Sequence, residues 1–445
     1  MTTFVHALRI DTDKCAAKLG CIRVCPTAAI RVRNGAAEIN PTLCIDCGEC
    51  IGACSQGAIQ PITDTWEDVE RFPFKVAITA PTLYGQFPMA ITPADVAEGL
   101  LALGFDAVYD MSVESVLIHR AIQDYLDEYH GPLPLISSIC PVIVRLIQVS
   151  YPDMVDQIIP IEPPREIAGR EVHRRYSEKL GIPPEEIGAI YIAPCPAKMI
   201  SIKQPAEGAK SNLDLAIGIK DIYNPLLAAI TKRMHERGSE ERPKEFNIGT
   251  PLFLELAMTG GQSNALRQSH SISVAQLPHV IRIFDDVEKG KIRTAQFLEA
   301  YACTGGCVGG PLTVDERFVA RSKLRRLAAE VGSVDEKIAE EIACRYEKDS
   351  YFLRQPVRPR PVSNVSGGLR EQIKRVKVRD QYLKLFPGID CGLCGSPTCE
   401  VFAGDVANGE SEPEDCVLIS SRRLESLRGL YGIDPGALPN SAGDV

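Results

Sequence analysis

The sequence has 445 residues, 45% of them hydrophobic and 24% charged, and its 58 acidic and 49 basic side chains leave a net charge of −9. That is the balance of a folded chain of about three domains; it excludes wholesale disorder and a polyphosphate-binding protein, which would carry a basic excess. Met1 to Lys14 lacks a basic stretch followed by an apolar one, and no run approaches the roughly 18 apolar residues of a membrane span. A cytoplasmic protein with no membrane span and no nucleic-acid partner is therefore expected. Its sixteen cysteines are the anomaly, and in a reducing compartment they read as metal-binding or redox-active.

Seven cysteines lie between Cys15 and Cys54. Cys44-x2-Cys47-x2-Cys50-x3-Cys54 is the bacterial ferredoxin spacing, in which three thiolates close around one cubane and the fourth reaches another cluster. Cys15, Cys21 and Cys25-Pro26 repeat the pattern upstream, but Lys18 stands where the second thiol belongs. Crossed ligation makes Cys44, Cys47, Cys50 and Cys25 a complete 4Fe-4S set. Cys15, Cys21 and Cys54 supply only three thiolates, for a 3Fe-4S cluster, a 4Fe-4S cluster with a non-cysteine ligand, or one completed by a distant thiol such as Cys344. An ammonium cannot ligate iron, so Lys18 reads as a surface residue. Zinc ribbons show two separated cysteine pairs, unlike this repeat. Residues 1–68 are expected to form a two-cluster ferredoxin-like α+β domain.

The next elements alternate strand and helix. Val76 to Thr79 is an apolar run ended by Ala80-Pro81, and Thr92-Pro93-Ala94-Asp95 opens a helix with a capping Thr, Pro in the first turn and an acid three residues on. Gly104 closes that helix. Ala107 to Tyr109 reads as a strand, Ser115 to Tyr125 as a helix and Leu133 to Ser138 as a strand, an order that implies one parallel sheet. Ala189 to Ala193 repeats the apolar run. Cys140 and Cys195 thus follow the carboxyl ends of strands, where open α/β sheets place their ligands. Glu207 to Asn212 and Arg237 to Lys244 read as surface loops. Farther on, Cys303-Thr304-Gly305-Gly306-Cys307-Val308-Gly309-Gly310 sets two thiols among glycines, which allow close backbone approach and positive φ. Cys344 reads as a buried helical thiol.

Repeated prolines from Gln355 to Pro361, then Ser363 to Gly368, mark a linker over residues 353–374. The basic excess from Arg358 to Arg379 reads as a solvated helix face. In the tail, Cys391-x2-Cys394-x4-Cys399-x16-Cys416 resembles the small 4Fe-4S domain found in the Rnf electron-transport complex and in corrinoid iron-sulfur proteins, which implies a C-terminal 4Fe-4S domain at 375–435 before a short end segment, 436–445. A structural zinc site is the alternative.

Three body segments carry a further resemblance. Ser137-Ser138-Ile139-Cys140-Pro141, Ala193-Pro194-Cys195-Pro196-Ala197-Lys198 and the Cys303–Cys307 segment look like the three H-cluster motifs of FeFe-hydrogenases, in the same order, with similarity from Val76 to about Lys348. The resemblance implies an α/β H-domain at 72–352, of two parallel-sheet lobes around a buried cluster. It implies that Cys140, Cys195, Cys303 and Cys307 hold a 4Fe-4S cluster, that Cys307 bridges to a di-iron unit with CO, cyanide and a dithiolate bridge, that Lys198 donates to a cyanide, and that Ala80 and Pro81 line the opposite wall. The substrates implied are H2 and protons, with a redox or signalling protein as partner.

This sequence also departs from the family. The first motif usually has a proton-relaying cysteine where Ile139 stands, the second a Glu where Ser201 stands, and the third a Met where Tyr301 stands. The acidic pair expected in the helix after Asp110 is missing. General acid-base relays contribute factors of about 10²–10⁴, so slow turnover is expected, and similar losses mark sensory branches of the family. His119 is a conceivable substitute carrier, although a lone His on a helix is more often structural. The competing readings are an efficient ferredoxin-linked hydrogenase with another proton route and a non-enzymatic scaffold like the hydrogenase-related assembly factors of the eukaryotic cytosol.

Overall fold

The structure, a computed structural model, describes residues 5–237, 246, 248–268, 270–334, 336–360 and 369–419. The Arg237–Lys244 loop after its first residue, the linker from residue 361 to 368 and the chain from residue 420 onward lie outside the described residues. The chain divides into two compact units. One comprises Met1–Cys44, Glu49–Gln60 and Pro361–Val445; the other comprises Ile45–Gly48 and Pro61–Arg360. The two cysteine-rich ends of the sequence thus share one unit.

In the first unit β1 (Leu8–Ile10) pairs with β4 (Ile59–Pro61), and β2 (Ile30–Arg33) runs antiparallel to β3 (Ala36–Ile39). Two short helices, Gly20–Val24 and Glu49–Ala53, carry Cys21 and Cys50. Leu8, Ile22, Ile30 and Ile59 pack with the cysteines into one small core. In the tail, helices Leu369–Leu385 and Cys399–Ala407 close over Tyr382, Phe386 and Phe402. The longer one leaves most of its basic face exposed.

The second unit holds two parallel sheets. In one the order is β6 (Ala107–Tyr109), β5 (Phe74–Thr79), β8 (Ile187–Ala193), β9 (Leu215–Gly218). In the other, β11 (Phe297–Tyr301) lies between β10 (Ser271–Ala275) and β7 (Leu135–Ile136). All seven residues of β8 and all five of β11 are buried, as expected of strands covered by helices on both faces. The α/β class and the two parallel-sheet lobes are as the sequence implied. The helix after β5 is Pro93–Ala102, with the Thr92–Asp95 capping box formed in both directions.

Two expectations are corrected. Leu133–Ser138 does not extend the first sheet: only Leu135–Ile136 is strand, and it pairs with β11 of the second sheet. Pro134 has no N–H to give a ladder, while Ser137 and Ser138 use their hydroxyls on Gln262 and the Ile161 carbonyl. Strand-helix-strand order is common to both sheets, so order alone does not choose between them. Cys344 is exposed rather than buried. In helix Glu336–Arg345 the buried residue is Ile342, and two positions later a side chain has turned by about 200° to the outer face.

Candidate iron-sulfur and hydrogenase sites

Cys140 and Cys195 sit alike: each is the residue before a helix that opens with proline, Pro141–Ser150 and Pro196–Lys203, just beyond β7 and β8. The third segment is brought to them by close backbone contact. At Gly306 (φ 106°) a Cβ would lie 2.6 Å from the Ala257 carbonyl oxygen, and at Gly310 one would lie 2.4 Å from that of Pro194; the Leu312 amide donates to the same Pro194 carbonyl at 3.0 Å. Only glycine permits this approach.

The four thiols therefore gather in one place, Cys140 and Cys195 buried and Cys303 and Cys307 half-buried. Burial pushes those of Cys140, Cys195 and Cys303 up, and the negative charge of the neighbouring cysteines adds to it. Lys198, itself buried, supplies the countercharge, its Nζ donating to Cys307 Sγ at 3.1 Å. Burial alone would lower the Lys198 ammonium, but the surrounding thiolates, Cys307 foremost, outweigh it and hold it above the ordinary lysine value. Thiols held up by burial would give up their protons only to a metal, and four such sulfurs beside one fixed cation suit an iron-sulfur cluster, whose irons would take up the remaining negative charge. A cavity beside them is lined by Ala80, Pro81, Ile139, Arg165, Lys198 and Cys307, among others.

The partners of several residues here escaped the sequence reading, as did Arg165 and Glu114 themselves. Arg165, 7% exposed, is a second cation on the cavity wall, and its Nη2 donates to Ser201 Oγ at 3.3 Å. Ser201 stands where the resemblance expects a glutamate. Glu299, fully buried in β11, accepts from the amides of Gly260, Gln262 and Ser263. Tyr301 donates its hydroxyl to the Leu256 carbonyl at 2.9 Å. The helix after Asp110 has a buried acid in Glu114, which accepts from Tyr109 Oη and Arg345. His119 is buried with Nδ1 3.0 Å from the Ser115 carbonyl, and burial lowers its imidazole to about 4. It is neutral near pH 7.

The head shows its repeat in the backbone. Ala17, Leu19 and Ala28 all have positive φ, as do Asp46, Gly48 and Gly57, 29 residues later in each case. Ala29 donates its amide to Cys25 Sγ at 3.2 Å, and Ala58 does the same to Cys54 Sγ at 3.3 Å. Cys15, Cys21 and Cys54 line one cavity, as crossed ligation requires, with exposed Lys18 at its edge. In the tail, burial raises the thiols of Cys394 and Cys416, and Cys391 and Cys399 lie near enough to Cys416 to add to its shift. Asp46, between Cys44 and Cys47, is fully buried and pairs with Arg145 at 2.5 Å. Among the described residues no three His, Cys, Asp or Glu side chains converge closely enough to hold a single metal ion.

Residues 74–274 match the iron only hydrogenase large subunit, C-terminal domain. Over this stretch the chain is similar to the iron-only hydrogenases. On either side of that stretch, residues 7–55 match a 4Fe-4S dicluster domain and residues 386–418 an Fe-S cluster family. The NADP-reducing hydrogenase subunit HndD of Solidesulfovibrio fructosivorans is 27% identical, over 67% of this chain and 63% of that protein. A component of the ion-translocating oxidoreductase complex of Shewanella loihica is 38% identical over 63 residues, 14% of this chain and 33% of that one. The chain thus spans less than two thirds of either relative. An apo FeFe-hydrogenase structure from Chlamydomonas reinhardtii aligns with a TM-score of 0.46 at 18% identity, covering 66% of this chain and 93% of that one. Among the described residues no helix is long and apolar enough to cross a membrane.

Proposed function

We propose that residues 72–352 hold an H-cluster and interconvert H2 with protons and electrons slowly, so that the protein serves as a cytoplasmic hydrogen sensor or as a redox component of a larger assembly. The observation that carries this reading is the Lys198–Cys307 contact of 3.1 Å on the wall of a cavity that Ala80 and Pro81 also line. Lys198 lines that cavity as well as touching the sulfur, so its charge would also serve an anionic group seated there. When bound, the cofactor supplies the hydrogen chemistry itself.

The chain's own residues would do the following. Cys140, Cys195, Cys303 and Cys307 would hold the 4Fe-4S part, and Lys198 would fix an anionic ligand by a charge-assisted hydrogen bond. Ala80, Pro81 and Ile139 exclude water. Ile139 cannot pass a proton where the family has a thiol, and neutral, buried His119 offers no charged substitute. Slow turnover is the consequence. Electrons would reach a partner redox protein through the clusters of residues 1–68 and 375–435, held by Cys25, Cys44, Cys47 and Cys50, by Cys15, Cys21 and Cys54, and by Cys391, Cys394, Cys399 and Cys416.

The test is an infrared spectrum of the protein reconstituted with iron, sulfide and a di-iron precursor, first under inert gas and then under hydrogen. Sharp CO and cyanide bands that move with hydrogen are expected. Intact cubanes without such bands would refute the reading and leave the scaffold alternative, whereas rapid turnover would favour the efficient enzyme with another proton route.

A further inference from the structure

Within the first unit, the tail's ligand loop packs against one particular part of the head. The Val32 amide donates to the Gly395 carbonyl at 2.8 Å. Gly395 (φ 81°) approaches so closely that a Cβ there would lie 1.8 Å from the Val32 carbonyl oxygen. Arg33 donates to the Cys394 carbonyl at 2.8 Å, to Ser396 Oγ at 3.1 Å and to Asp405 at 2.8 Å. Arg31 takes both oxygens of the same Asp405, at 2.7 and 3.0 Å. That carboxylate is 4% exposed and accepts a third partner, Ser396 Oγ, at 2.6 Å. On the other side of the loop, a Cβ on Gly392 would meet Ile22 at 3.1 Å, and Arg23 reaches the Cys391 carbonyl at 3.4 Å.

These contacts identify which head cluster the tail faces. Ile22 follows Cys21 directly, and Val32 lines the same cavity as Cys15, Cys21 and Cys54. Gly392 and Gly395 each follow a tail cysteine. Residues adjoining the ligands of one cluster therefore touch residues adjoining the ligands of the other. A buried carboxylate shared by two arginines is a costly arrangement unless the geometry is kept, so the tail is fixed to the head.

We propose that the tail cluster exchanges electrons directly with the Cys15–Cys21–Cys54 cluster, so that the three-thiolate cluster is an internal relay. In the step, one electron leaves the reduced tail cluster, which is oxidised, and enters the head cluster, which is reduced; no bond or proton moves. The inference rests on the iron-sulfur reading of these two cysteine sets and not on the di-iron unit.

The experiment is electron paramagnetic resonance of the full, cluster-loaded chain reduced with dithionite. Adjacent paramagnetic clusters split and broaden one another's signals. Such splitting is expected in the unaltered protein and should vanish in Cys399→Ala, which lacks the tail cluster. It should also weaken in Asp405→Asn, which keeps all four tail cysteines; if that variant loses tail iron, Arg33→Gln serves instead, since it alters the head side only. A head signal identical in the unaltered protein and in Cys399→Ala would overturn the inference. An infrared spectrum without CO bands would leave this result unchanged, so the two failures are distinguishable.

Discussion

Replacing Arg345 with methionine should destabilise the second unit in a way that depends on pH, because of what it does to Glu114. That carboxylate is 0% exposed and accepts from Tyr109 Oη at 2.8 Å and Arg345 Nη2 at 2.7 Å. Burial already raises it above the usual 4.5, against the pull of Arg345. Without the guanidinium it could stay ionised, which costs about 3–5 kcal/mol for a buried charge that has lost its partner. It could instead take up a proton, at about 1.4 kcal/mol per pH unit above the unfolded value, or ~3.4 kcal/mol at pH 7. The second route caps the penalty near ~3.4 kcal/mol at pH 7. Below pH 4.5 the carboxyl is protonated in both states and the cost disappears. As pH rises the unfolded chain releases the proton first, so the variant's stability falls with pH, and at about pH 5.5 the penalty should be only ~1.4 kcal/mol. Of the other charges facing this group, Glu171 is buried but keeps its pairs with Arg174 and Arg175, while Glu341 and Arg175, which lies over the Tyr109 ring, are partly solvated, so these should shift both values alike. Urea unfolding of anaerobic, cluster-loaded protein at the two pH values measures the difference. An equal penalty at both, or no recovery when Glu114→Gln is added to Arg345→Met, would refute the reasoning.

Restoring a thiol by Ile139→Cys should raise hydrogen turnover by a factor of about 10²–10⁴, measured with a viologen dye; no gain would mean that protons already have another route. His119 is held at about 4 by burial against an unfolded 6.5. Its share of stability is therefore complete above pH 6.5 and is lost as pH falls through 4, by ~1.4 kcal/mol per unit. His119→Leu should flatten the acid side of a melting-temperature profile, and an unchanged profile would count against it. Cys344→Ser should leave iron content unaltered and remove the thiol that reacts first with iodoacetamide in the folded protein; loss of iron would instead make Cys344 a ligand.

How legible the molecule was depends on how far apart its partners lie in the sequence. Cluster motifs are local, since thiolates three residues apart close around one cubane and a fourth just beyond them reaches the next, and the spacing of Cys44 to Cys54 could be read directly. The Thr92–Asp95 capping box spans three residues and formed as expected. The strand ends at Ala80-Pro81 and Pro194 were equally plain, because proline ends a ladder. What stayed hidden was set by distant partners. Glu114 meets Arg345 231 residues later, and Arg31 meets Asp405 374 residues later. Nothing near either residue marks it for burial. Arg165 stood out even less: a basic residue in the first turn of a helix looks solvated until the fold turns it inward. For Leu135–Ile136 the pattern showed a strand but could not name its neighbour.

The positive-φ residues of the head also bear on how the protein is assembled. Glycine adopts that conformation freely, but Ala17, Leu19, Ala28 and Asp46 do not, and each costs about 1–2 kcal/mol to hold there. Against that strain stand a few buried ion pairs and a small core, much of it built from the ligand cysteines themselves. An empty head would be a bent spring, and iron and sulfide would be the latch. Cluster insertion is then a folding step, and a chain made where iron is scarce should reach the protease before it reaches hydrogen.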